Sequence, residues 1–479
     1  MNLDRRAILK GAAALPLLKG TTGAIAATGK KADYTLRISP GLVELAPGHI
    51  VSTTLYNGQF PGPLLRFKEG ERVTVDIHND TDTPELVHWH GQNIPSEVDG
   101  AAEEGTPYIE PHAMRRVSFV PGPSGLRFYH THVVAGGDLN RGTYTGQAGP
   151  VYIEPKHDPG AYDREVFLVM KEFEPTFSRG GDMAMDFLAG APVKELQDIG
   201  KRADDQFKGP KGYEVGYDLF SINGKMLGNG EPIRVKQGER VLFHVLNASA
   251  GEIRSLAMPG HVFRIVALDG NPVPTPADVP VLWLGTAERI SAIVEMNHPG
   301  VWVMGDLSDD DRGHGMGIVV EYANAKGKPQ WSKPKPYTWD YTIFGRRGAA
   351  PSQPDETLEF TIVKHNGAIN GFNRWTLNGK SFSMETMTPA YTIHQGRRYR
   401  LKFRNASDDV HPLHLHRHSF ELAGVGGKPT SGVKKDVVML GGFQDAAFDF
   451  VADNPGKTLF HCHQQLHMDF GFMALFDYA

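Results

Sequence analysis

The chain has one cysteine, Cys462, among 479 residues. A single thiol cannot close an internal disulfide, so no cross-linked framework is available and the sulfur is left for other chemistry. Long apolar runs are missing too, and no membrane span is expected. Basic excess is also absent: 50 Lys and Arg stand against 55 Asp and Glu, giving a net charge of −5. With no basic run and no RNA-binding aromatic motif, nucleic acid is disfavoured as a partner. What is present is an ordinary globular composition, 40% hydrophobic and 22% charged, which argues against disorder. The length suggests about three domains.

The N-terminus reads Asp4-Arg5-Arg6-Ala7-Ile8-Leu9-Lys10, then an apolar stretch from Gly11 to Leu18, then Ala24-Ile25-Ala26 as a small-residue cleavage pattern. This order of regions resembles a bacterial twin-arginine export signal, residues 1–26, and implies a periplasmic or otherwise secreted protein. Residues 1–26 carry four basic and one acidic side chain, so their removal moves the net charge from −5 to −8.

Self-similarity sets the architecture. Tyr56-Asn57-Gly58, Gly70-Glu71-Arg72-Val73 and Asn79-Asp80 recur as Ile222-Asn223-Gly224, Gly238-Glu239-Arg240-Val241 and Asn247-Ala248-Ser249. They recur again as Leu377-Asn378-Gly379, Gly396-Arg397-Arg398-Tyr399 and Asn405-Ala406-Ser407. Short β-branched and aromatic segments such as 72–77 and 399–403 alternate between Gly, Pro and Asn turns. With 55 Gly and 33 Pro, the expectation is an all-β chain of three consecutive Greek-key β-sandwiches. The expected domains are 32–155, 160–325 and 336–479, joined by polar, Pro/Gly-rich linkers near 155–163 and 325–337. Residues 177–215 have no counterpart in the other copies and are expected to form a partly helical surface excursion.

Cys462 lies in His461-Cys462-His463, followed by His467. A thiolate with two imidazoles makes the trigonal site of electron-transfer copper. On a strand Cys462 points one way and its two neighbours the other, so one tripeptide touches two metal sites. Three further clusters accompany it: His88-Trp89-His90-Gly91, His130-Thr131-His132 and His411-Pro412-Leu413-His414-Leu415-His416. A lone His-x-His is weak evidence and occurs at zinc sites, but zinc gives no reason for a single Cys flanked by two histidines. In the middle copy the corresponding tripeptide is Met304-Gly305-Asp306, so that domain is expected to bind no copper and to act as a spacer. His314 and His418 are read as structural or solvated.

Over nearly the whole mature length, the chain resembles a three-domain, laccase-like multicopper oxidase, with the four motifs in family order. The resemblance implies cupredoxin-like domains and four copper ions: one type 1, one type 2 and a type 3 pair. It assigns His411, Cys462 and His467 to type 1, His88 and His414 to type 2, and His90, His130, His132, His416, His461 and His463 to type 3. It also implies single-electron oxidation of phenols or aromatic amines, reduction of dioxygen to water at a cluster shared by the first and third domains, and a monomer.

The family's axial position, ten residues beyond the Cys and commonly Met, is here Phe472, with Met473 next to it. Loss of the axial sulfur favours Cu(I) and a higher potential. Asp99 matches a family carboxylate near the cluster. The Glu that often follows the last motif histidine is replaced by Met468, with Asp469 one further on, as the candidate second proton donor. Cuprous oxidases of the family carry Met-rich segments, whereas only Met183/Met185 and Met384/Met387 are closely paired here. Asp408 and Asp409 before His411 are read as solvated loop carboxylates, the alternative being that either takes a phenolic proton or attracts a cation. A periplasmic cuprous oxidase, and a copper-free cell-division scaffold of the same fold, are the alternatives.

Overall fold

In a computed structural model, residues 31–156, 162–179, 186–206 and 209–479 are described. The expected signal segment, residues 1–26, lies outside them. Among the described residues, strands form six sheets, two in each of three cupredoxin-like β-sandwich domains. No helix is long and apolar enough to cross a membrane.

The three copies repeat at the level of strand pairing. The first strand of each domain runs parallel to the strand after the Gly-rich turn: Tyr34–Ala46 with Val73–Asn79, Arg164–Ser178 with Arg240–Asn247, and Glu356–Ile369 with Arg398–Asn405. In the facing sheets, Leu65–Lys68, Ile233–Val235 and Tyr391–Ile393 each run parallel to the last strand of their domain. Burial alternates residue by residue along Val73–Asn79 and Arg398–Asn405, one face inward and one outward. Arg240–Asn247 is buried along nearly its whole length, because the other domains cover its outer face.

The repeated asparagines hold this pattern in place. Asn57, Asn223 and Asn378 have φ between 51° and 54°, each followed by a glycine of positive φ. That pairing is the two-residue hairpin turn that Asn-Gly favours. Asn79, Asn247 and Asn405 are fully buried, and each Oδ1 accepts the N–H two residues on, at 3.0, 3.1 and 2.9 Å. A buried amide able to close such a local turn leaves no orphaned backbone group at the strand end.

The 177–215 segment contains a helix, Lys194–Gln206, with Leu196, Gly200 and Ala203 buried on one face. It docks on the third domain: a Cβ at Gly200 would lie 2.4 Å from the Ala406 carbonyl, and Arg404 Nη2 donates to Glu195 Oε2 at 2.6 Å. Residues 180–185 and 207–208 of this segment lie outside the described residues, Met183 and Met185 among them. Its end leads into the strand Glu214–Ile222 and so carries Glu214 toward the third domain.

Candidate metal centre

The strand Thr458–Cys462 lies antiparallel to His411–Leu415, placing Leu413 opposite Cys462 and His414 opposite His461. The expected alternation follows. On one side Cys462 Sγ is 3.6 Å from His411 Nδ1 and 3.6 Å from His467 Nδ1, and those two nitrogens are 3.3 Å apart. On the other side His461 Nε2 is 3.0 Å from His416 Nε2 and 3.5 Å from His132 Nε2.

Four groups gather the eleven side chains, all buried: His411/Cys462/His467, His90/His130/His463, His132/His416/His461, and His88/His414 together with His90. The first domain supplies His88, His90, His130 and His132, so the histidine-only groups straddle two domains. The rings of His90 and His414 stack across that boundary at 3.8 Å, and those of His88 and His416 at 4.1 Å. Three of the four His-x-His pairs send their two rings to different groups, while His90 also joins the group that holds His88. The rings do not all sit within strands: His90 and His416 occupy turns, while His132 and His463 lie just past strand ends. His314 and His418 belong to none of these groups. His314 is half exposed, and His418 is held by the His416 carbonyl and Tyr478 Oη.

In seven of the rings one nitrogen is committed to a neighbour and the other is left for the centre. His88 Nδ1 meets the Asp99 carbonyl at 3.0 Å, His414 Nδ1 the Asp436 carbonyl at 2.8 Å, and His416 Nδ1 Asp99 Oδ2 at 3.0 Å. His90 Nε2 meets Asp436 Oδ1 at 3.1 Å and His411 Nε2 meets Ser407 Oγ at 3.0 Å. The Nδ1 atoms of His130 and His461 meet backbone carbonyls at 2.7 and 2.8 Å. Such partners fix ring orientation and tautomer at metal sites. The freed atoms His88 Nε2 and His414 Nε2, and both nitrogens of His463, are buried without any hydrogen-bond partner. Nitrogen atoms orphaned together in this way fit a metal ion between them, because leaving them bare is costly. Burial holds His90, His130, His132, His411, His414, His416 and His463 well below the usual imidazole range, and His461 at about 3. The rings are therefore neutral and ready to ligate.

Asp99 is fully buried, with Oδ2 3.0 Å from both His88 Nδ1 and His416 Nδ1 and with Oδ1 unpartnered. Asp469 is placed differently. Its carboxylate accepts the N–H groups of Ala135 and Gly136 at 2.9 and 2.7 Å and those of Gln465, and it joins none of the histidine groups. Burial raises it to about 6. Two other carboxyls approach the histidines instead: Glu103 Oε2 lies 3.8 Å from His132 Nδ1, and Glu104 Oε1 lies 3.6 Å from His416 Nδ1. Burial pushes Glu103 up to about 7. Both stand in the acidic pair that closely follows Asp99, a signal the sequence contained.

At the cysteine group, Phe472 is fully buried with its ring 4.9 Å from that of His411. Met473 packs the opposite way, against Leu459, Met468 and Leu475. The expectation for Asp408 and Asp409 is corrected: both pair with Lys364, whose largely buried ammonium they hold, so neither is a free solvated carboxylate. The carboxylate nearest His467 is Glu214, with Oε2 3.6 Å from Nε2 and Oε1 accepting from Asn373 Nδ2 at 2.8 Å. Nothing local in the sequence marks it.

The middle domain has a carboxylate bound by backbone N–H groups just past the strand that corresponds to the one carrying the cysteine. Its strand Val301–Gly305 corresponds to Thr458–Cys462, and Asp306 beyond it accepts the N–H groups of Ser255 and Ser308 at 2.9 and 2.8 Å.

Three segments of the chain match multicopper oxidase family models, residues 38–158, 194–324 and 351–479. The chain belongs to the multicopper oxidase family, and its four groups match the type 1, type 2 and type 3 copper sites of such enzymes. Among its relatives is multicopper oxidase MmcO of Mycobacterium tuberculosis, 28% identical over 98% of this chain and 94% of that one. Laccase-3 of Thanatephorus cucumeris is 24% identical over 93% and 91%. Among solved structures, a multicopper oxidase from Pseudomonas thermotolerans superposes with a TM-score of 0.68 at 25% identity, covering 94% of this chain and all of that one.

Proposed function

We propose that this enzyme is an exported laccase-like oxidase whose electron donors are phenols or aromatic amines, with residues 1–26 as its twin-arginine signal. The observation that carries the donor class is Glu214, 3.6 Å from the outer nitrogen of His467. A carboxylate there accepts a hydrogen bond from a phenolic O–H or an aromatic N–H, holding the donor against the ring that leads inward. Phe372 and Tyr213, their rings 5.3 Å apart beside Asn373 and Glu214, offer apolar faces for an aromatic donor.

Bound copper would supply one-electron oxidation at the cysteine group and reduction of dioxygen to water at the histidine-only groups. The protein's own part is largely connection and proton handling. From Cys462 Sγ the chain runs through one peptide bond on each side to His461 and His463, a short covalent path between the groups. Asp99 orients His88 and His416 through Oδ2 and can hold a proton at the unpartnered Oδ1. Glu103 is the better-placed second carboxyl, since Asp469 is tied to the loop at 135–136.

A second reading, oxidation of Cu(I), rests on the same Glu214 carboxylate, which would also attract a cation. Against it, Met384, Met468 and Met473 are spent on apolar packing. Steady-state rates on a methoxyphenol and on Cu(I) decide between them: faster phenol turnover supports the laccase reading, and negligible phenol turnover with rapid Cu(I) oxidation reverses it.

A further inference from the structure

Six charged side chains from all three domains meet in the protein interior beside the histidines: Arg127 of the first, Asp269, Glu288 and Arg289 of the middle, and Lys435 and Asp436 of the third. None is more than 1% exposed. At their centre the Asp436 carboxylate receives two parallel hydrogen bonds from Arg289, Nη1 to Oδ1 and Nη2 to Oδ2, both 2.6 Å. Its Oδ1 also lies 3.1 Å from His90 Nε2, and its backbone carbonyl 2.8 Å from His414 Nδ1. One residue therefore steadies two of the rings that face the centre.

Arg289 is itself held. Its Nη1 donates to the Ala287 carbonyl at 2.9 Å and its backbone N–H to Asp269 Oδ1 at 3.0 Å. The other Asp269 oxygen accepts the N–H groups of Asp436 and Val437 at 3.2 and 3.0 Å, locking the middle domain to that strand of the third. The fit is close. A Cβ on Gly91, the last residue of His88-Trp89-His90-Gly91, would lie 2.7 Å from both Arg289 Nη2 and Asp436 Oδ2. That motif glycine is needed because the ion pair lies against it.

A fork of two parallel bonds fixes both the position and the plane of a carboxylate, which a single donor does not. Fixing that plane fixes the partner of His90 Nε2, and so the direction of Nδ1, which lies 3.4 Å from His130 Nε2. We propose that the middle domain, none of whose described residues joins the four groups, supplies Arg289 as a positioning residue for the histidine-only copper groups, acting through Asp436 on His90 and His414. This rests on the reading of those histidines as copper ligands.

The test uses the full-length, copper-loaded chain as wild type, Arg289→Gln, Arg289→Lys and Glu288→Gln. Copper per chain, chelator competition, the visible band of the cysteinate site and the EPR signals of the histidine-only groups are recorded with thermal unfolding. For Arg289→Gln the histidine-only groups should hold copper roughly 10–100-fold more weakly, with the cysteinate band kept. Arg289→Lys keeps the charge but not the fork, and should show the same selective loss even if the Gln variant fails to fold. Glu288→Gln, which touches Lys435 and Tyr341 but no partner of a ligand ring, should change stability without changing either signal. Wild-type copper retention in folded Arg289 variants overturns the proposal, as does loss of both kinds of site in step with unfolding. A wild-type chain that binds no copper at the histidines overturns the underlying reading as well, whereas wild-type binding upholds it whatever the variants do.

Discussion

The Phe472 ring lies 4.9 Å from the His411 imidazole, while the Phe472 carbonyl accepts the Cys462 backbone N–H at 3.2 Å. In the axial role we propose for Phe472, its hydrocarbon ring offers copper no donor atom where a thioether would. Phe472→Met should lower the potential of the cysteine site, because a weak sulfur donor favours the oxidised ion. A redox titration that finds the potential unchanged or raised refutes this.

Asp99 bridges His88 and His416 and leaves one oxygen unpartnered. Asp99→Asn keeps the size of the side chain but cannot cycle a proton. Reoxidation by dioxygen should slow by about 10²-fold or more, with anaerobic reduction of the cysteine site intact. Stopped-flow measurement of the two half-reactions separates them, and equal slowing of both counts against the relay role.

Glu214 approaches His467 from the middle domain. If it binds the donor, Glu214→Gln should lower kcat/KM for phenols by roughly tenfold or more, as expected for losing a hydrogen bond to a charged acceptor. An outer-sphere reductant such as ferrocyanide should be much less affected. Parallel losses for both would place the effect in His467 rather than in donor binding.

Glu85 is buried, accepting from Gln147 Nε2 at 3.1 Å, and burial raises its pKa above the usual glutamate value. A carboxyl with a raised folded-state pKa contributes its stability at low pH and loses it as pH rises through that value. Glu85→Gln should therefore flatten the fall in stability that sets in as pH rises above the ordinary glutamate range, as the ionised carboxylate no longer has to be buried. Thermal unfolding against pH would show parallel curves for the two proteins if this is wrong.

Legibility in the sequence followed how local each signal is. Asn57, Asn223 and Asn378 announced three hairpins because an Asn-Gly turn needs only its own backbone, and Asn79, Asn247 and Asn405 likewise close turns within two residues. The alternation of His461 and Cys462 is a property of any strand. For Asp469, closeness to His467 along the chain does not fix direction: it ends a short helix, and its carboxylate turns to the loop at 135–136. The expectation that the middle domain is a spacer did not anticipate its hold on Asp436.

Sequence alone determined the β architecture and the His and Cys motifs that gather at the centre, since each is written in residue type at short spacing, whereas the axial reading of Phe472 came with the family resemblance. Only the tertiary structure decided which nitrogen of each ring faces the centre, which carboxylates stand behind the rings, and that Glu214 rather than Asp408 or Asp409 meets His467. His90 and Asp436 are 346 residues apart, and Arg289 and Asp436 are 147 apart. Contacts over such separations leave no periodic trace in the chain and exist only once three sandwiches have closed on one another.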